Sequence, residues 1–354
     1  MRIGIVGGGF AGLAAAIAFR SQGHDVTVFE KTTAPSTGGG AISLSHNALT
    51  CLSMLGVRKH ISTSRWATVP ATVRNAAGQV LVSSTLPKLT GGTEYATVTR
   101  RQLLGWLRQS LPTDCLHYAS TVTHVDPDGT VQLTKHVAKF DLVVGADGAR
   151  GIVRTTVWPT APPARLVSGT NWAWFVDQDL HEGFGTIWGR TSQFGVLPLD
   201  DGRVYIYGGS RQQGADLSSF REWPTPLPEL IAAATAEDIL NPHIVEARPP
   251  HKLVRGKVVL IGDAAHAMQP TFGQGAALAM EDALTLAYRG TAALSRRLPR
   301  MLSLYAMSKG GAQFAAPQFA ALERTRDIAL RLTPNPVFNV MAGSASRWRP
   351  PPNP

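Results

Sequence analysis

The sequence predicts an α/β fold: a parallel sheet packed with helices, a β-rich second region, and helices at the C-terminal end. Three observations predict it. A strand, a glycine turn, a helix and a second strand fill the first thirty residues. Two further apolar strands with glycine loops, at 139–148 and 256–276, repeat that texture, and between them residues 162–250 change to short strands separated by turns.

The opening unit carries the sharpest signal. Arg2 to Val6 reads as a buried strand, Gly7-Gly8-Gly9-Phe10-Ala11-Gly12 as a Gly-x-Gly-x-x-Gly turn, and Leu13 to Gln22 as an alanine-rich helix. His24 to Phe29 alternates into a second strand that ends on Glu30, with Lys31 beside it. The three motif glycines serve different ends. Gly7 permits the tight turn, Gly9 lets the backbone approach a pyrophosphate, and Gly12 lets helix and strand pack closely. The helix start offers free amides and a positive dipole end to phosphates. Glu30, 18 residues after Gly12, is placed to accept hydrogen bonds from a ribose. Strand, turn, helix and acid together predict a dinucleotide site in a Rossmann-like domain.

Gly38-Gly39-Gly40 is a second glycine cluster, followed by a helix from about Asn47 to Leu55 that stops at Gly56. Alternating runs at Ala71-Thr72-Val73-Arg74 and Gln79-Val80-Leu81-Val82, turning at Asn75 to Gly78, predict a β excursion. Val98 to Leu104 then opens a helix, and Lys139 to Gly145 is a buried strand ending at Ala146-Asp147-Gly148. The expected division is 1–65, 98–161 and 251–300 for the nucleotide domain, 66–97 and 162–250 for a β-sheet substrate domain, and 301–354 for C-terminal helices with a proline-rich tail.

Within 162–250, Trp172 and Trp174 share one strand face, as do Tyr205 and Tyr207. Such pairs ordinarily fill a core. An open sheet carrying Trp172, Trp174, Trp188, Phe194, Tyr205 and Tyr207 also suits an aromatic or polycyclic ligand, so substrate contacts are expected among them. Further on, Gly256 to Ile261 delivers Asp263 at a strand end, and Pro270-Thr271-Phe272-Gly273-Gln274-Gly275-Ala276 leads into a helix start suited to negative charge.

Composition bounds the function. Of 354 residues 44% are apolar and 16% charged, which allows about two packed domains and rules out disorder for the bulk. No run of 18 apolar residues occurs and the chain opens directly on a strand, so a cytoplasmic protein without stable membrane association is expected. Two distant cysteines, Cys51 and Cys115, predict neither disulfides nor a thiolate zinc site, and ten scattered histidines predict no metal. The net charge is +10, and from Tyr288 onward ten Lys or Arg face only Glu323 and Asp327. Interspersed with Ala and Leu at helical spacing, these read as a solvated helix face, not a nucleic-acid surface. His266, inside the Asp263 motif, reads as structural. The 26 arginines against 8 lysines suggest a high-GC bacterial genome, an associational hint toward secondary metabolism.

From Met1 to about Tyr305 the motifs, in this order, resemble the single-component FAD-dependent monooxygenases similar to para-hydroxybenzoate hydroxylase. The resemblance rests on Gly7-x-Gly9-x-x-Gly12 with Glu30, on Asp141 to Gly148, and on Gly262-Asp263-Ala264-Ala265-His266 followed by Pro270 and Gly273-Gln274-Gly275. It implies an FAD site at Gly7, Gly9, Ala11, Gly12, Glu30, Lys31, Arg100, Val122, Asp147, Asp263, Gly273, Gly275 and Ala276. It further implies NADPH or NADH as a transient reductant and dioxygen as oxidant. One oxygen atom would reach an electron-rich aromatic small molecule through a flavin C4a-hydroperoxide, hydroxylating or epoxidising it, in a monomer or homodimer.

A group that ionises a phenolic substrate is sought among Tyr205, Tyr207 and His181, with Arg190 as anion partner and Pro270 beside the ring. Two departures stand out: Gly151 replaces the serine usual after the Asp-Gly motif, and Ala306 to Gly311 replaces the usual arginine-rich continuation. An oxidase or dehydrogenase of the same fold, or a non-catalytic flavin binder, are the alternatives. A halogenase is a further one, since Trp172-Ala173-Trp174 matches half of that class's motif.

Overall fold

The computed structural model describes residues 1–35, 39–62, 70–92, 94–177 and 184–351. Its first sheet brings the three distant motifs together. Strand Arg2–Val6 pairs in parallel with Asp25–Phe29 on one side and Leu142–Gly145 on the other, and Leu142–Gly145 pairs in parallel with Val258–Leu260. Leu116–His117 and the antiparallel Val254–Arg255 complete the six strands. Central parallel strands are buried on both faces and must be apolar throughout, as Leu142, Val143 and Val144 and then Val258, Val259 and Leu260 are.

The helix Phe10–Ser21 is alanine-rich because it is covered on nearly every side. Ala11, Ala14, Ala15, Ala16 and Ala18 are all buried, and their small side chains let the long helix Gly275–Ser295 lie against it. The helix predicted from Val98 begins two residues later. Ala96–Thr99 is a strand, and Thr99 caps Arg100–Gln109 through a reciprocal capping box with Gln102.

The second sheet orders its six strands as Thr170–Val176, Val204–Ser210, Ser192–Pro198, Phe184–Trp188, Pro70–Asn75 and Val80–Thr85. The 66–97 excursion thus supplies two of its strands, joined in parallel through Phe184–Trp188. The two faces differ. Trp172, Trp174, Phe194 and Ile206 pack under Phe220, Leu227 and Leu230. The opposite face presents Tyr205 and Tyr207 with Leu197, and Tyr95 and Leu86 cluster there too.

Four helices, Gly275–Ser295, Leu298–Ala315, Ala320–Leu332 and Asn335–Gly343, close the chain. Here one expectation is corrected. Arg297, Arg300 and Arg326 do not belong to a solvated face. Arg297 and Arg300 reach the fully buried Glu281, and Arg297 also reaches Asp282. Arg326, itself buried, pairs with Asp327. Buried carboxylates require counter-charges, a demand that charge spacing along the chain does not reveal.

Candidate FAD and substrate site

One cavity of about 1180 Å³ is lined from both sheets, running from the first glycine turn to the tyrosine face of the second sheet. Its volume exceeds the roughly 300–1,000 Å³ typical of a single small-molecule pocket. There is room for a dinucleotide cofactor and a second, smaller ligand.

The three motif glycines differ in the space around them. Gly7 adopts φ +106°, and a Cβ there would stand 2.4 Å from the Ala146 carbonyl oxygen. A Cβ on Gly12 would meet the Gly7 carbonyl at 1.9 Å. Gly9, by contrast, has nothing within 4 Å of its Cβ position. Of the three motif glycines, only Gly9 leaves space open, and it lines the cavity. The helix Phe10–Ser21 has no side-chain cap and no acid in its first turn, so its leading amides face the cavity unclaimed.

Glu30 accepts hydrogen bonds from the Gly8 amide at 2.8 Å and the Thr32 amide at 2.9 Å. Burial alone would raise its pKa, but these bonds bring the carboxyl below its usual value. The carboxylate thereby fixes the turn while still lining the cavity, with Lys31 and Val122 close by on the same wall.

Arg100 crosses the cavity with its guanidinium 4.6 Å from the centre of the Phe10 ring. Burial lowers its pKa, and the Asp263 carboxylate opposes that shift. Asp263 follows Gly262, whose φ of +57° turns the chain sharply from the strand end into the short helix Asp263–His266. Asp147 accepts a hydrogen bond from the Val153 amide through Oδ2, while its buried Oδ1 has no partner among the described residues. Burial pushes this carboxyl up to about 6.

The second helix start lies at the other end of the cavity. Pro270–Phe272 forms a single turn, Gly273 at φ +63° ends it, and Gly275–Ser295 begins without a capping side chain. Gln274 anchors this loop from below through Asn47, Ser45 and Ser346, and Asn47 in turn bonds Glu281. Gly273, Gly275, Ala276 and Pro270 all face the cavity. Two uncapped helix starts, an orphaned buried carboxylate oxygen and an open Cβ position at Gly9 fit FAD, which would lie from Gly9 and Glu30 past Arg100 and Asp263 to the Gly273 loop.

The substrate-side residues divide. Tyr205 and Tyr207 line the cavity with ring centroids 6.0 Å apart, and the Tyr205 hydroxyl reaches Gly40, where a Cβ would stand 2.2 Å from it. Burial pushes the Tyr205 phenol up to about 12 and Tyr207 higher still, which favours the protonated phenols. Trp188 also lines the cavity, edge-on to Phe314.

Three expectations are overturned. Trp174 is fully buried and donates its indole N–H to the Leu230 carbonyl, and Phe194 packs beside it; both face the core under Leu227, away from the cavity. Arg190 sits on the exposed turn after Phe184–Trp188, outside the cavity wall. Trp172 stacks on Phe194 at 5.9 Å in that core and also lines the cavity, so its expected place is kept. His181, like Gly38, lies outside the described residues. His266 is fully buried with Nε2 2.5 Å from Asp282 Oδ2, a structural pair.

Sequence reasoning missed Tyr95, wholly buried on the tyrosine wall, and the C-terminal Phe338 and Met341, which close another side of the cavity. Strand alternation with Thr97 was the available signal for Tyr95; nothing local marked the other two.

A cavity flanked by two helix starts, framed by a dinucleotide sheet and an aromatic-walled second sheet, defines a flavin-type nucleotide site with an adjoining ligand chamber. The pattern of the FAD binding domain family matches residues 1–308, and the chain belongs to that family. It is 31% identical over 322 residues to the aurachin C monooxygenase/isomerase of Stigmatella aurantiaca, covering 85% of this chain and 83% of that one. It is 30% identical over 308 residues to the FAD-dependent urate hydroxylase of Klebsiella pneumoniae, covering 81% and 80%. The crystal structure of Klebsiella pneumoniae HpxO with FAD and uric acid superposes with a TM-score of 0.86 at 26% identity, covering 98% of this chain and 96% of that one. The chain is an enzyme of this FAD-dependent monooxygenase class.

Proposed function

We propose that the protein uses NADPH or NADH and dioxygen to insert one oxygen atom into an electron-rich, planar aromatic or polycyclic small molecule. The observation that carries this reading is the single cavity that joins the glycine turn to the tyrosine wall, large enough for cofactor and substrate together. Bound FAD supplies the redox and oxygen chemistry. The chain's own residues do the rest.

Gly9 and the first helix start would hold the pyrophosphate, Glu30 the adenosine ribose, and Arg100 and Asp263 the middle of the cofactor. The uncapped helix at Gly275 faces the ring end and stabilises negative charge there. Tyr205 and Tyr207 stand across from that loop on the same cavity and hold the substrate by ring contact and donated hydroxyl hydrogen bonds, backed by Tyr95, whose hydroxyl meets Ser43 and Thr97. The likeness to the Klebsiella pneumoniae urate hydroxylase, and to a Klebsiella pneumoniae structure that holds uric acid, supports a flat heteroaromatic substrate class. Aromatic walls and excluded water suit such a ligand.

The test is an anaerobic absorption spectrum before and after NADPH or NADH, with phenols, indoles, quinolones and purines offered in turn. Faster loss of the oxidised-flavin band with one class supports the reading and names that class. A flavin that neither nicotinamide reduces, with any of them present, overturns it in favour of an oxidase or a non-catalytic binder. Tyr205→Phe is expected to raise KM with little change in the neutral-range pH profile; loss of a neutral-range ionisation would instead make Tyr205 a base.

A further inference from the structure

The outermost C-terminal helix is turned inside out. In Ala320–Leu332 the inward side holds Arg326 and Leu330, both buried, while Leu322, Ile328 and Leu332 are 55%, 59% and 78% exposed. A helix on the surface of a soluble protein normally shows water its polar side. The next helix, Asn335–Gly343, repeats the arrangement with Val337, Val340 and Met341 exposed.

Among the described residues, eight of the thirteen large exposed apolar side chains fall between Phe314 and Met341. The two helices that carry most of them meet on the second sheet, where inward-facing Leu330 and Phe338 pack into one cluster with Trp188. Clustered exposure on this scale marks an interaction surface, unlike scattered single residues.

The charges choose the partner. Arg324 and Arg331 flank the apolar stripe and are exposed, whereas Asp327 is turned in toward Arg326 and Asn75 and Glu323 is half-buried. Arg347 and Arg349 are exposed just beyond. Two copies meeting through this face would bring cations against cations. The region also joins the cavity, since Phe314, Phe338 and Met341 line it.

We propose that this face docks reversibly on an anionic lipid surface, with Ile328, Leu332, Val337 and Val340 entering the headgroup region and Arg324 and Arg331 meeting lipid phosphates. Amphipathic helices with apolar and arginine sides lie in the membrane plane in this way. No described helix is long and apolar enough to cross a bilayer, so the contact is peripheral. Docked so, the cavity wall at Met341 adjoins the lipid phase. The inference stands apart from the oxygenation reading, because binding needs no turnover.

The test is co-sedimentation of the FAD-loaded full chain with vesicles of phosphatidylcholine alone or mixed with phosphatidylglycerol. Expected is partitioning onto the anionic vesicles only, weakening as salt rises. Arg324→Gln with Arg331→Gln should reduce it about 30-fold, at roughly 1 kcal/mol per arginine. Ile328→Ser with Leu332→Ser should also release the protein while leaving basal activity and melting temperature unchanged. Absence of binding to anionic vesicles, or binding that both variants retain, overturns the proposal. So does a wild-type dimer that Ile328→Ser with Leu332→Ser converts to monomer, which assigns the face to a second copy.

Discussion

A Cβ built on Gly151 would lie 2.1 Å from the carboxyl carbon of Asp147. Gly151 has φ −67° and ψ 151°, a backbone any residue adopts, so its lack of a side chain serves the carboxylate and not the turn. Gly151→Ala is expected to push Asp147 off the Val153 amide, costing about 1–3 kcal/mol in stability and weakening FAD retention. Thermal unfolding and an FAD titration of the reconstituted variant check both.

Asp147 also sets a pH dependence. Its carboxyl rises from an ordinary 3.8 to about 6 through burial, so the folded apoprotein holds a proton that the unfolded chain has released. Its contribution is fully present below pH 3.8 and is lost as pH rises through 6, by up to about 3 kcal/mol. Melting curves of apoprotein across that window should show Asp147→Asn losing less stability with rising pH than wild type. Parallel curves would sink the assignment.

Gly9 and Gly12 should separate binding from folding. Space is open at Gly9, so Gly9→Ala leaves the melting temperature of the apoprotein nearly unchanged while FAD affinity falls by an order of magnitude or more. Gly12→Ala meets the Gly7 carbonyl and destabilises the apoprotein itself. Denaturant unfolding without FAD, followed by FAD binding, distinguishes the two.

Glu281 is fully buried and accepts from Asn47, Arg297 and Arg300. Glu281→Ala leaves those cations without their shared anion and is expected to cost about 3–5 kcal/mol. Because Asn47 also holds Gln274, the variant should additionally loosen the loop at Gly273, read as faster proteolysis there.

The nucleotide half was legible because its signals are local. A glycine that must admit a phosphate, and an acid at a strand end, are visible in a few consecutive residues. The second sheet was legible only as strands. Alternation placed Trp172 with Trp174 and Tyr205 with Tyr207, but which face meets the cavity depends on what covers the other. Phe220, Leu227 and Leu230 cover the tryptophan face, and they come from segments whose docking no period announces. The inward arginines were hidden for the same reason: Arg297 and Arg300 answer charges on a neighbouring helix.

The nucleotide sheet is stitched from ends of the chain that emerge far apart in time. Leu142–Gly145 receives its neighbour Val258–Leu260 only after about 110 more residues have been made, which at roughly 5–20 residues per second is on the order of ten seconds of synthesis. Throughout that interval a nascent chain carries an apolar strand with one bare edge, open to mispairing. That edge is closed only when the strand at Val258–Leu260 arrives.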